Sequence, residues 1–325
     1  MLQNILSLFA GIGTFLLGMK LVSKNLQQVA GGKIEGLFNK ISTSKLVSVG
    51  VGVGSAAVLQ SSSATTVILV SLVNSGIITL LQATCIIMGA NVGTTFTALV
   101  ISFNYLPIGE FFAFLTFIGV MLVMVDKNQR LNSVGWILGS VGLMFIGLDI
   151  IKISALALSE FPTFNWLFSS INSPFLLLAI GAVFTSIIQS SSALTGVVIT
   201  FAHLGIMPIS CAFYLIMGGN VGSCATALIA SLGGNLNAKR TALINVLFNV
   251  LGVVIFLPFV IAFGKKMTSY FSDFSPSVVI AYFHVAFNLI TTVLLLPFTK
   301  KLTDISILLI PDKKNNNILV LEEKM

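Results

Sequence analysis

Charge is what this sequence has least of. Asp, Glu, Lys and Arg make up 8% of its 325 residues, against roughly 25% in soluble domains. So few charges cannot cover the surface of a water-soluble fold of this length, so most of the solvent is lipid. Cysteine is almost as scarce. Cys85, Cys211 and Cys224 all fall inside apolar stretches, without metal-type spacing, which excludes a disulfide framework and a zinc site. There are two histidines, His203 and His284, each expected to hydrogen-bond locally rather than relay protons. Asp149 is the one acidic residue deep in an expected helix, and Lys152, three residues on, is its expected partner.

Apolar residues are abundant, at 56% with a mean hydropathy of +1.04, and the net charge is +7. In a membrane chain that excess is read first as topology, because Lys and Arg gather in cytoplasmic loops. It is not read as a nucleic-acid surface. The stretch from Met1 to Gly18 has no basic residue before it. It lacks the start of a signal peptide and is expected to be retained as a first helix.

Slid along itself until Gln60 meets Gln189, the chain aligns with itself without a gap. Gln60-Ser61-Ser62-Ser63-Ala64 falls on Gln189-Ser190-Ser191-Ser192-Ala193, and Met88-Gly89-x-Asn91-Val92-Gly93 on Met217-Gly218-x-Asn220-Val221-Gly222. Of the 43 positions from 60 to 102, 19 are identical to their counterparts. Upstream, Gly13 and Gly18 fall on Gly142 and Gly147.

Each copy predicts the same series. A long helix (about 4–27; about 131–156) precedes a polar, amphipathic stretch (31–45; 159–173) suited to the interface. Two apolar arms follow, 46–59 and 64–77 in the first copy, joined by the Gln-Ser-Ser-Ser turn. Each arm is too short to cross alone, which predicts a re-entrant hairpin. Residues 79–103 are long enough to cross, but Gly89 to Thr95 interrupt them, which predicts a broken helix. A plain crossing (108–125; 240–263) closes each copy, and one extra helix, about 278–298, stands outside the repeat. The Gly50-Val51-Gly52-Val53-Gly54 run is expected to be a helix-contact surface.

The expected fold is therefore an all-α membrane protein of two inverted-topology repeats, 1–130 and 131–264, with an extra transmembrane helix in 265–299 and a short cytoplasmic tail, 300–325. Three crossings per repeat turn the second copy upside down. On that topology thirteen Lys and Arg fall on one side and three (Lys152, Lys265, Lys266) on the other, with Lys20 inside a helix. The rule for basic loops then puts the N-terminus outside, the C-terminus in the cytoplasm, and the chain in the cytoplasmic membrane.

Inverted repeats with interrupted helices are the recurring plan of secondary transporters, with the site at the midplane. Irregular backbone at that depth must be buried in protein or line a wet cavity. One shared cavity is expected, free of fixed charge. Its lining would be Gln60, Ser61, Ser62, Ser63, Thr65, Thr66, Asn91, Thr94 and Thr95, with Gln189, Ser190, Ser191, Ser192, Thr195, Asn220 and Ser223. Helix N-termini, serine hydroxyls and glutamine amides suit an oxyanion. Carbonyls freed at the breaks, near Gly93 and Gly222, suit Na⁺. Anion and cation bound together neutralise each other, which is a physical route to coupled transport.

The paired Gln-Ser-Ser-Ser motifs, each followed by Gly-x-Asn-Val-Gly-Thr/Ser, resemble the type II sodium–phosphate cotransporter family over about 4–263. The resemblance implies sodium-driven movement of inorganic phosphate. Residues 60–63 and 189–192, Asn91 and Asn220 would contact the substrate, with Na⁺ near Thr65, Thr66, Gly93, Thr94, Thr95, Thr195, Gly222 and Ser223. Thr65 becomes Leu194 and Thr95 becomes Cys224 in the second copy, so the cation sites need not be duplicated. The tail after Thr299 is too short for the cytoplasmic regulatory domain of some bacterial members, and no loop replaces the glycosylated loop of the animal members.

Expected partners are phosphate, sodium and the lipid bilayer, with a homodimer as a candidate assembly. No enzymatic activity is expected. Two alternatives stay open: a transporter of another anion, sulfate or a dicarboxylate, and an intramembrane hydrolase with Ser63 or Ser192 as nucleophile and His203 or His284 as base.

Overall fold

The computed structural model describes residues 1–38, 44–103, 109–125, 129–164, 171 and 173–312. The described residues are helical almost throughout. In chain order the helices are α1 (Leu2–Phe38), α2 (Lys45–Leu59), α3 (Ser62–Asn74), α4 (Leu80–Ser102), α5 (Gly109–Val125), α6 (Gln129–Ser159) and α7 (Pro174–Ile188). There follow α8 (Ser191–His203), α9 (Ile209–Gly222), α10 (Cys224–Ser231), α11 (Leu236–Tyr270), α12 (Pro276–Leu295) and, after a 3-10 turn, α13 (Thr299–Leu309). Six stretches are long and apolar enough to cross a bilayer. The chain is a multi-pass membrane protein.

The repeat seen in sequence is also a repeat of elements. Under the shift that carries Gln60 onto Gln189, the bounds of α2 and α3 become those of α7 and α8. At about 1.5 Å per residue neither arm of either pair spans a hydrocarbon core of about 30 Å. Between the arms the backbone turns at Gln60 (φ 50°, ψ 28°) and Gln189 (φ 57°, ψ 26°), both left-handed. After the second arms it turns again at Gly76 (φ 74°) and Gly205 (φ 71°), where the lack of a Cβ admits the positive φ.

Helix α1 packs against its own counterpart, α6, and the two run antiparallel. Gly11 lies against Ile151, and Gly18 against Met144; Gly147, the counterpart of Gly18, lies against Phe15, the counterpart of Met144. Within each copy, the first arm runs parallel to the helix after the hairpin at backbone contact. A Cβ on Gly89 or Gly93 would collide with the carbonyl of Val49 or Val53, and on Gly52 with that of Ile86. All three contacts recur at the equivalent positions of the second copy, at Gly218 on Leu178, Gly222 on Ala182 and Gly181 on Leu215. Small residues let membrane helices approach this closely.

These contacts overturn the expected break in the first copy, and in the second they leave a one-residue interruption at Ser223. α4 runs unbroken through Gly89-Ala90-Asn91-Val92-Gly93, because its glycines seat α2 rather than interrupt the helix. In the second copy only Ser223 separates α9 from α10, its backbone stays helical (φ −61°, ψ −20°), and its amide donates to Gly219 O at 3.0 Å. The contact expected of the Gly50–Gly54 run is made by Gly52, whereas a Cβ on Gly50 would meet open space.

α1 reaches Phe38, well past the expected end near residue 27, and takes in part of the expected amphipathic stretch. Residues 39–43, 165–170 and 172, where the rest of the two amphipathic stretches falls, lie outside the described residues. The extra helix, α12, stacks Phe283 on Phe213 of α9, with ring centroids 4.0 Å apart. Beyond it, where a tail is expected from residue 300, α13 packs into the bundle. Thr303 lies 3.2 Å from Thr84, and Arg240 donates to Ile310 O and to the Asp312 carboxylate, each at 2.9 Å.

Candidate functional site

Both Gln-Ser-Ser-Ser turns open onto one cavity of about 840 Å³. Gln60, Ser61, Ser62, Ser63 and Thr94 line it from the first copy, and Gln189, Ser190, Ser191 and Ser192 from the second. The remaining expected lining residues, Thr65, Thr66, Asn91, Thr95, Thr195, Asn220 and Ser223, are buried and do not border this space.

The local geometry of the turns explains their composition. Ser61 and Ser190 are N-caps: their hydroxyls accept from the amides of Ala64 and Ala193, at 3.0 and 3.2 Å. A Ser cap satisfies one amide of a helix start. The amides of Ser62, Ser63, Ser191 and Ser192 belong to first turns, where the helix itself supplies no acceptor. Two helix N-termini of thirteen residues each, α3 and α8, therefore begin at the wall of the same cavity. Partial positive charge collects at such ends. Ser63 also ties the copies together, its Oγ donating to Ser223 O at 3.1 Å.

Gln60 and Gln189 are the only described residues other than glycine with positive φ. Glycine is the usual residue at a left-handed C-cap. A glutamine held there in both copies accepts a backbone cost of about 1 kcal/mol or more. Gln60 Oε1 is buried beside the cavity without a hydrogen-bond partner among the described residues.

Apart from Thr94, which borders the cavity, the hydroxyls expected to hold sodium bond back to their own helices. Thr65 donates to Ser61 O (3.0 Å), Thr66 to Ser62 O (2.8 Å), Thr195 to Ser191 O (2.9 Å), Thr95 to Val92 O (2.7 Å) and Ser223 to Asn220 O (2.7 Å). Since α4 is continuous, no half-helix end frees carbonyls at Gly93, and Gly222 is packed on Ala182. Asn91 Nδ2 donates to Ile87 O at 2.9 Å. Asn220 instead receives α12, with Nδ2 donating to Asn288 Oδ1 at 2.8 Å and Oδ1 lying 3.1 Å from His284 Nε2.

The expectation of a cavity without fixed charge also fails. Lys20 and Lys24 of α1 line it, with Ser23 and Gln27. Ser23 Oγ donates to Leu59 O at 2.7 Å, which pins this face of α1 beside Gln60. The signal was present in the sequence. Lys20, Lys24 and Gln27 recur at helical spacing along α1, a polar stripe.

The family model described as Na⁺/Pi-cotransporter matches residues 14–153 and 158–295. The chain belongs to the Na⁺/Pi-cotransporter family. It is a phosphate transporter by family, not an enzyme. Its relatives include the Bacillus subtilis protein "Uncharacterized protein YqeW", 32% identical over 95% of this chain and 99% of that one. The Escherichia coli protein "Putative inorganic phosphate export protein YjbB" is 29% identical over 91% of this chain and 54% of its own length. The chain thus spans about half of that relative and nearly all of the first. The human "Sodium-dependent phosphate transport protein 2B" is 33% identical over 31% of this chain and 14% of its own. No solved structure matches the chain.

A hydrolase of the kind left open above also lacks its base. His203 Nδ1 lies 3.3 Å from Ser275 and His284 contacts Asn220, and neither histidine borders the cavity that holds the serines.

Proposed function

We propose that this chain couples the movement of inorganic phosphate to sodium, binding both where the two Gln-Ser-Ser-Ser turns meet. Phosphate sits between the starts of α3 and α8, accepting from first-turn amides and the hydroxyls of Ser62 and Ser191. Gln60 and Gln189 donate their amide N–H groups to phosphate oxygens or accept its proton through their carbonyls. Sodium is held beside it by oxygens that border the same space, those of Gln60, Ser62 and Thr94, rather than by carbonyls at helix breaks. Each ion offsets the cost of burying the other.

The observation that carries this function is the pair of left-handed glutamine caps on one cavity. A hairpin corner that needed only to turn would be served better by glycine. For the inverted arrangement of the copies, support comes from the antiparallel packing of α1 on its counterpart α6. The lysine-rich side is taken as cytoplasmic, so the cavity, bordered by exposed Lys20, Lys24 and Gln27, faces the cytoplasm. Exposure to the other side follows when each copy adopts the conformation of the other.

Gln60→Gly and Gln189→Gly test the site. Each is expected to keep or raise thermal stability, since glycine relieves the left-handed corner, while phosphate affinity falls by about tenfold, the loss of one hydrogen bond to a charged group. Variants that bind and move phosphate like the wild type would place the site elsewhere.

A further inference from the structure

The cavity is symmetric in its turns and asymmetric in charge. Its remaining wall is a stripe of α1 that carries Lys20 and Lys24, and no Asp or Glu is among the described residues that border it. The stripe is held at the level of the first turn by the bond from Ser23 to Leu59 O. Its counterpart is the stripe of α6 in which Asp149 takes the place of Lys20, Lys152 that of Ser23 and Ile153 that of Lys24.

An inverted-repeat transporter reaches its other state when each copy adopts the conformation of its partner. The α6 stripe would then form the wall that α1 forms here. One access route would present two ammonium groups to an entering anion, and the other a carboxylate, one ammonium group and an aliphatic side chain, with no net charge.

From this asymmetry we infer that Lys20 and Lys24 are a one-sided anion funnel, which lowers the phosphate concentration needed to load the site from the cytoplasmic face and leaves loading from the opposite face unaided. The inference rests on the phosphate-transport function proposed above. Like charges lining a low-dielectric cleft raise the local concentration of a counter-ion and its rate of entry by about 10- to 1,000-fold. A divalent anion feels twice the attraction of a monovalent one. The lysines do not set the direction of net transport, which the gradients decide. They make the site load at a lower phosphate concentration from the cytoplasm than from outside, whichever way the gradients drive net transport.

The test uses everted and right-side-out membrane vesicles holding the full chain, with initial rates of radiolabelled phosphate entry measured at a fixed sodium gradient. In everted vesicles the double variant Lys20→Gln/Lys24→Gln is expected to raise the half-saturating phosphate concentration about tenfold. In right-side-out vesicles the change should stay under about twofold, and Lys20→Arg/Lys24→Arg should match the wild type in both. Raising ionic strength at constant sodium should mimic the double variant on the wild type, again in everted vesicles alone. This second reading does not depend on the variant folding. Equal changes in both preparations, no change in either, or a change confined to right-side-out vesicles would overturn the funnel. Wild-type vesicles that take up no phosphate in either orientation would overturn the proposed function itself, and the funnel with it.

Discussion

Gly18 of α1 lies against the backbone of Met144, and at the equivalent place in the second copy Gly147 of α6 lies against the backbone of Phe15. One contact is the image of the other under exchange of the two copies, as at a two-fold interface. Each glycine leaves no room for a side chain. Gly18→Leu and Gly147→Leu should therefore each destabilise the protein by roughly 1–3 kcal/mol or more. Gly13→Leu is the control, because a Cβ there meets nothing within 4 Å. Thermal unfolding in detergent checks all three. Equal midpoints for Gly13→Leu and Gly18→Leu would contradict the packing.

The capping serines separate fold from function. Ser61→Ala removes the hydroxyl that accepts from Ala64 and should cost about 1 kcal/mol. Ser61→Asp keeps a good cap but sets a negative charge at the cavity wall. Its stability should stay near that of the wild type while phosphate uptake falls to background. Uptake by Ser61→Asp at the wild-type rate would argue against an anion at this helix start.

Ser62 and Ser191 occupy equivalent places in the first turns of α3 and α8. Replacing either with Ala should weaken phosphate affinity by about tenfold, the value of one hydrogen bond to a charged group, with little effect on unfolding. Titration of purified protein with phosphate measures the first, and a melting curve the second.

The two motif asparagines should behave unequally despite the Met-Gly-x-Asn-Val-Gly motif they share. Asn220 bridges His284 and Asn288 in a buried network, whereas Asn91 bonds back to its own helix. Asn220→Ala strands two buried polar groups and should cost about 2–3 kcal/mol or more. Asn91→Ala should cost about 1 kcal/mol. A double-mutant cycle between Asn220 and Asn288 should show coupling, and additive losses would deny the network.

Much of this architecture was legible in the chain. The internal repeat predicts the paired hairpins because their arms are too short to cross and are closed by polar turns, and α2, α3, α7 and α8 carry the repeat spacing in their bounds. In the first copy the Gly-x-Asn-Val-Gly motif misled for a physical reason. Glycine both weakens a helix and lets another helix approach, and sequence does not distinguish the two uses. Only the carbonyls of Val49 and Val53 beside Gly89 and Gly93 show which applies. Lys20 and Lys24 were visible as residues but not as cavity walls, because their bearing on Gln60 depends on how α1 is rotated, which the bond from Ser23 to Leu59 fixes. The role of Asn220 was hidden for a related reason. Its partners come from α12, outside the repeat.

Phosphate accumulation in proteoliposomes holding the purified chain tests the central claim most directly. With an inward sodium gradient imposed, radiolabelled phosphate should concentrate inside, collapse of the gradient should release it, and arsenate should compete where sulfate and succinate do not. Accumulation indifferent to sodium, or displaced by sulfate or succinate but not by arsenate, would contradict the account.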